Sequence, residues 1–135
     1  MNWTLEVVVV PVSDVDRAKE FYAERLGFTV DHDTKMGDDG RIVQLTPPGS
    51  GCSIVMGSGP LPTMEPGSLK GIQLVVPDLE KARAELVERG VEVSEIMKMG
   101  DNPRPTPHPL DNVGFLFFDD PDGNSWAVQQ ISDRA

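Results

Sequence analysis

A chain of 135 residues, 39% apolar and 25% charged, has the size and composition of one globular domain with a buried core. Its formal net charge of −10 argues against a nucleic-acid partner, since a phosphate backbone is bound by lysine and arginine displacing counterions. No apolar run approaches the ~20 residues of a membrane helix, no signal peptide opens the chain and Cys52 has no partner for a disulfide, so no membrane partner and a cytoplasmic location are expected.

Leu5 to Val12 is rich in valine and reads as a buried strand ended at Pro11. Ser13 or Asp14 can cap a helix on which Val15, Ala18, Phe21, Tyr22 and Leu26 make one apolar face, with Gly27 where a C-terminal glycine belongs. Strands are predicted near Phe28–Asp33, Arg41–Thr46 and Cys52–Met56, separated by Asp38-Asp39-Gly40 and Pro47-Pro48-Gly49 turns. A connector rich in proline and glycine follows. The order then recurs: a strand over Gly71–Val76, a helix with Leu79, Ala82, Leu86 and Val87 inward and Gly90 at its end, and strands near Val91–Met97, Val113–Phe118 and Ser125–Ile131.

The recurrence extends to the residues. Val12-Ser13-Asp14-Val15-Asp16-Arg17-Ala18-Lys19 is answered 64 positions later by Val76-Pro77-Asp78-Leu79-Glu80-Lys81-Ala82-Arg83. Two copies of one βαβββ unit follow from such a repeat. One segment breaks the symmetry: Lys98–Asn112 holds Pro103, Pro105, Pro107 and Pro109 with Arg104 and His108 between them, which suits a lid, a binding loop or a stiff spacer.

Val12-Ser13-Asp14 with Arg17-Ala18-Lys19-Glu20-Phe21-Tyr22 and Leu26-Gly27-Phe28, the second Val76-Pro77-Asp78, and the closing Asp120-Pro121-Asp122-Gly123-Asn124-Ser125-Trp126 turn together resemble the vicinal oxygen chelate superfamily. That group includes glyoxalase I, extradiol dioxygenases, fosfomycin-modifying enzymes and bleomycin-resistance proteins. The resemblance implies an α+β fold of tandem βαβββ repeats, a curved mixed sheet forming a cup with helices on its outer face. It covers one domain over residues 1–135, with repeat one at about 4–58, a connector at 59–68 and repeat two at about 69–132.

In metal-dependent relatives four strand positions supply the ligands. Counting from the repeated motifs puts them at Val7, Gly71, Ser53 and Ala127, with Glu6 facing away from Val7. Valine, glycine, serine and alanine cannot hold a divalent ion, which wants imidazole, carboxylate or thiolate. No cofactor is therefore expected, with a divalent metal on His108, Glu6 and Asp119 as the remaining conceivable set. Strand alternation lines the cup with Leu5, Val7, Val9, Ser53, Val55, Gly71, Gln73, Val75, Ala127 and Gln129, an apolar surface with sparse polar groups that suits a small organic ligand. Gln73 and Gln129, each two residues past an empty ligand position, could hydrogen-bond one ligand between them, and a packed or water-filled interior with satisfied glutamines explains them at least as well. Phe115 and Phe117 share one strand face, and at least one of Trp3, Phe115, Phe117 and Trp126 is expected in the pocket. His108 and Tyr22 are the weak acid–base candidates.

The favoured expectation is a metal-free binding protein for a drug or metabolite, acting by sequestration and, from the resemblance, a homodimer. The alternatives are a glyoxalase-type lyase, isomerase or dioxygenase with displaced ligands, and a non-catalytic dimerising module.

Overall fold

A computed structural model describes residues 1–102, 106 and 108–133. Pro103, Arg104, Pro105 and Pro107 of the proline-rich segment lie outside the described residues. The fold is α+β, and the chain divides into two compact units: Met1–Leu69 with Asp120–Asn124, and Lys70–Asp119 with the chain from Ser125 on.

In the first unit, strands β1 (Val7–Val9), β2 (Thr29–Met36), β3 (Gly40–Thr46) and β4 (Ser53–Ser58) form a sheet of order β1-β4-β3-β2, with β1 parallel to β4 and the other pairs antiparallel. Helix α1 runs over Val15–Glu20, its N-terminus capped by the Asp14 side chain accepting from Arg17 N. It continues through a π-turn over Phe21–Arg25, where Leu26 N–H reaches back to Phe21 O. Alternation sends Val43, Leu45, Ile54 and Met56 toward Ala18, Phe21 and Tyr22, and this set is the unit's buried core. The opposite sheet face carries Val7, Val9, Gln44, Thr46, Ser53 and Val55.

The second unit repeats the plan. Strands β5 (Ile72–Val76), β6 (Met97–Lys98), β7 (Gly114–Asp119) and β8 (Ser125–Gln130) are ordered β5-β8-β7-β6, and α2 spans Leu79–Glu88 behind an Asp78 cap. Leu79, Val91, Val113, Leu116, Phe118, Trp126 and Val128 make its core.

Two strands differ from expectation. The first is only three residues long, because Pro11 has no N–H for a ladder, although Ser53 N to Glu6 O and Val10 N to Val55 O extend the pairing by a bond at each end. The strand predicted over Val91–Met97 shrinks to Met97–Lys98. Before it, Ser94 replaces a ladder rung: its N–H donates to Phe117 O, and its hydroxyl, in place of a carbonyl, accepts from Phe117 N at 2.9 Å.

The Asp120–Asn124 turn joins β7 to β8 yet clusters with the first unit. Asp120 is 5% exposed; its Oδ1 accepts from Asp122 N and Asn124 N, and its Oδ2 from Tyr22 Oη at 2.6 Å and Asn124 Nδ2 at 2.7 Å. Asn124, fully buried, also donates to Pro11 O and accepts from Leu69 N. Asp122 takes both Ser13 N and Ser13 Oγ, at 3.1 and 2.6 Å. Gly67 packs so closely here that a Cβ would sit 2.1 Å from Asp122 O, with φ at +79°.

Candidate functional site

A set of polar and aromatic side chains lies on the sheet faces turned away from the cores. On the second unit's face, the pairings Gln73–Ala127–Phe117 and Val75–Gln129–Phe115–Met97 set two rows across the strands. Phe115 and Phe117 lie nearly parallel, 8° apart with centroids 6.3 Å apart, and Phe117, Val75 and Met97 are exposed. Trp126 is on the other face, stacked on Phe118 in the core, and Trp3 is exposed near the start of the chain. Of the four aromatic residues singled out by sequence, Phe115 and Phe117 are the two on this face.

Gln73 and Gln129 do not stand apart with a ligand-sized gap. They occupy adjacent strands, and Gln73 Nε2 donates to Gln129 Oε1 at 2.7 Å. Gln129 Nε2 donates in turn to Asn112 O at 2.8 Å. Asn112, which the sequence did not single out, holds φ at 70° and so turns its carbonyl to meet this amide. An asparagine at the end of a proline-rich segment was the available signal, since this residue tolerates the left-handed region.

On the first unit's face Val7 is the direct neighbour of Ser53, and Val9 of Val55. Ser53 is 6% exposed and its Oγ lies 2.5 Å from Thr46 Oγ1, which donates to a carboxylate oxygen of Asp31. Thr46 has one proton and gives it to the carboxylate, so the proton between the two hydroxyls is Ser53's. Asp31 sits at a bulge between Val30 and His32, where the extra residue turns its carboxylate onto this face.

Counting forward from Gly49 misplaces one expected ligand position. The fifth residue before each capping aspartate is Val9 in one unit and Gln73 in the other, and their strand partners are Val55 and Ala127. Val55, not Ser53, is thus the counterpart of Ala127. Three residues separate Gly49 from β4 and only one separates Gly123 from β8, which produces the slip. Valine and alanine ligate metals no better than serine. Among the described residues, no group of three or more His, Cys, Asp or Glu side chains stands together in a way that could hold a metal ion. The donor set does not fit a divalent ion.

The acid–base candidates are occupied otherwise. Tyr22 is fully buried on the helix side of its sheet, with its hydroxyl donating to Asp120. His108 is exposed, and its Nδ1 accepts from Leu110 N at 3.1 Å. Two aspartates have carboxyls held well below the usual carboxylate range, and both are structural. Asp111 accepts from Ser132, Gln130 and Thr106. Asp33 is gripped by Arg41 and then Lys19, at 2.7 and 2.8 Å.

Comparison with known proteins agrees with this geometry. The family model described as the Glyoxalase/Bleomycin resistance protein/Dioxygenase superfamily matches residues 4–128. Among solved structures, TnmS3, an antibiotic binding protein from Streptomyces sp. CB03234, is 38% identical, with 97% of this chain and 98% of that one covered and a TM-score of 0.73. A glyoxalase/bleomycin resistance protein from the same organism is also 38% identical over 94% of this chain and 100% of its own, at a TM-score of 0.70. A superfamily member from Sphaerobacter thermophilus DSM 20745 is 28% identical over 96% and 98%, at 0.71. No curated protein matches the sequence.

Proposed function

This chain belongs to the Glyoxalase/Bleomycin resistance protein/Dioxygenase superfamily, and from that premise we propose that it binds a small organic molecule without a metal and acts by sequestering it. The observation that carries this reading is the second unit's sheet face, where alanine occupies the expected ligand position beside a parallel phenylalanine pair and a bonded pair of amides. Apolar and aromatic walls supply affinity for an organic ligand, and few polar groups orient it. A relative 38% identical over nearly the whole chain is an antibiotic binding protein, which supports a drug or a drug-like metabolite as the ligand.

The protein works as a homodimer in this proposal. Trp3 and Leu5 are 88% and 69% exposed, a cost that a partner copy would remove. The acidic surface suits neither nucleic acid nor an anionic membrane, and no helix among the described residues is long and apolar enough to cross one. A cytoplasmic location fits the lone Cys52.

Calorimetric titration of the purified protein with bleomycin and with planar polycyclic antibiotics tests the proposal. Saturable binding of at least one, with a chelator-insensitive rise in melting temperature, is expected; a ligand at 100 times its Kd adds about 2.7 kcal/mol. Near-stoichiometric divalent metal in the native protein, with stabilisation that chelator reverses, would overturn it in favour of a metal-dependent enzyme.

A further inference from the structure

The Gln73–Gln129–Asn112 chain has only one possible polarity. A backbone carbonyl accepts and never donates, so Gln129 must turn its Nε2 toward Asn112 O. That orientation leaves Gln129 Oε1 facing Gln73, which must answer with its own Nε2. Neither amide can flip without setting two oxygens against each other. Gln73 is exposed, and its carbonyl Oε1 is the group left over at the open end of the chain.

Its setting gives this oxygen a use. Gln73, Ala127 and Phe117 lie side by side on three consecutive strands, so the amide and the phenyl ring stand on backbones roughly 10 Å apart, with only a methyl group between them. A flat ring system laid on Ala127 would meet Phe117 at one end and an acceptor at the other.

We propose that Gln73 is the specificity-determining residue of this face, its carbonyl selecting planar molecules that bring the N–H donor of an exocyclic aryl amine to that edge. Gln129 is the positioning residue that holds Gln73 in the accepting orientation. The net charge of −10 draws a cationic ligand of this kind and disfavours an anionic one. This inference rests on the small-molecule reading above.

The test uses two fluorescent dyes, proflavine and its tetramethylated counterpart acridine orange, which keeps the ring and the charge but lacks the amino N–H groups. Wild-type protein is expected to bind proflavine at least tenfold more tightly. Gln73→Met should abolish the preference by weakening proflavine alone, and Gln129→Met should narrow it by freeing Gln73 to rotate, both with near-wild-type melting. Equal affinity for the two dyes, or a preference that survives Gln73→Met, would overturn donor selection while leaving ligand binding intact. Failure of both dyes to bind would overturn the proposal, and the small-molecule reading falls with it only where the antibiotics also fail to bind. A dimer in sedimentation that Phe117→Asp dissociates, with no dye bound, would place a second copy on this face and also overturn the proposal.

Discussion

Single residues in the Asp120–Asn124 turn carry tertiary work that their turn chemistry does not suggest. Proline at 121 and glycine at 123 suit a tight turn, but Asp120 and Asn124 are buried because they satisfy Tyr22, Pro11 and Leu69. Tyr22→Phe removes one donor from a buried carboxylate and should cost about 1–3 kcal/mol in denaturant unfolding. Dye or antibiotic affinity should be unchanged in that variant; a selective loss of binding would return Tyr22 to the functional residues. Gly67→Ala meets both a positive φ and the Asp122 carbonyl, and a loss of about 2 kcal/mol or more is expected, read as a lowered melting temperature.

At the scale of elements, α2 is tied down from outside itself. Gln130 Oε1 accepts from Leu79 N at 2.9 Å, in the first turn of the helix, and Gln130 Nε2 donates to Asp111 at 2.8 Å. The carboxyl of Asp111 is lowered by Ser132 first, then Gln130 and Thr106, so its charged form belongs to the folded state. A depressed carboxylate stabilises above its unfolded pKa of about 3.9 and loses that contribution as pH falls through its folded value. Stability should therefore hold from neutral pH down to about 5 and fall progressively below about 4, with Asp33 acting in the same direction. Asp111→Asn should be less stable than wild type at pH 7, and the gap should close in acid; a gap constant with pH would show that the charge is not what matters. Asp78→Ala removes the helix cap and should cost about 1 kcal/mol, measured by chemical denaturation.

For the whole molecule, charge and exposed apolar surface decide behaviour in solution. Trp3, Leu5 and Met99, away from the proposed ligand face, are exposed in a single chain, apolar surface that a second copy would cover. Sedimentation velocity should give a dimer, and Trp3→Ala with Leu5→Ala should shift it toward monomer if the first residues carry the contact. Chelator treatment should leave the melting temperature unmoved, since no ligand set gathers among the described residues.

Much of this was legible in the sequence, because the informative signals are local. Asp14 and Asp78 cap helices through their own side chains three residues ahead, and the repeat around them announced paired βαβββ units before any fold was seen. Period-two alternation was enough to put Gln73 with Gln129 on one face and Phe115 with Phe117 on a shared one, while only the structure moved Trp126 from the pocket candidates to the core. What only the tertiary structure decided were the matters of register and partner. Three residues after Gly49, against one after Gly123, moved the counterpart of Ala127 from Ser53 to Val55, and a count along one strand cannot sense its neighbour's slip. The edge at Val91–Ile96 lost its strand to a serine hydroxyl that took a backbone role. The polarity of Gln73 depends on a carbonyl 39 residues away, at Asn112, and a hydrogen bond's direction is set by whichever partner can only accept.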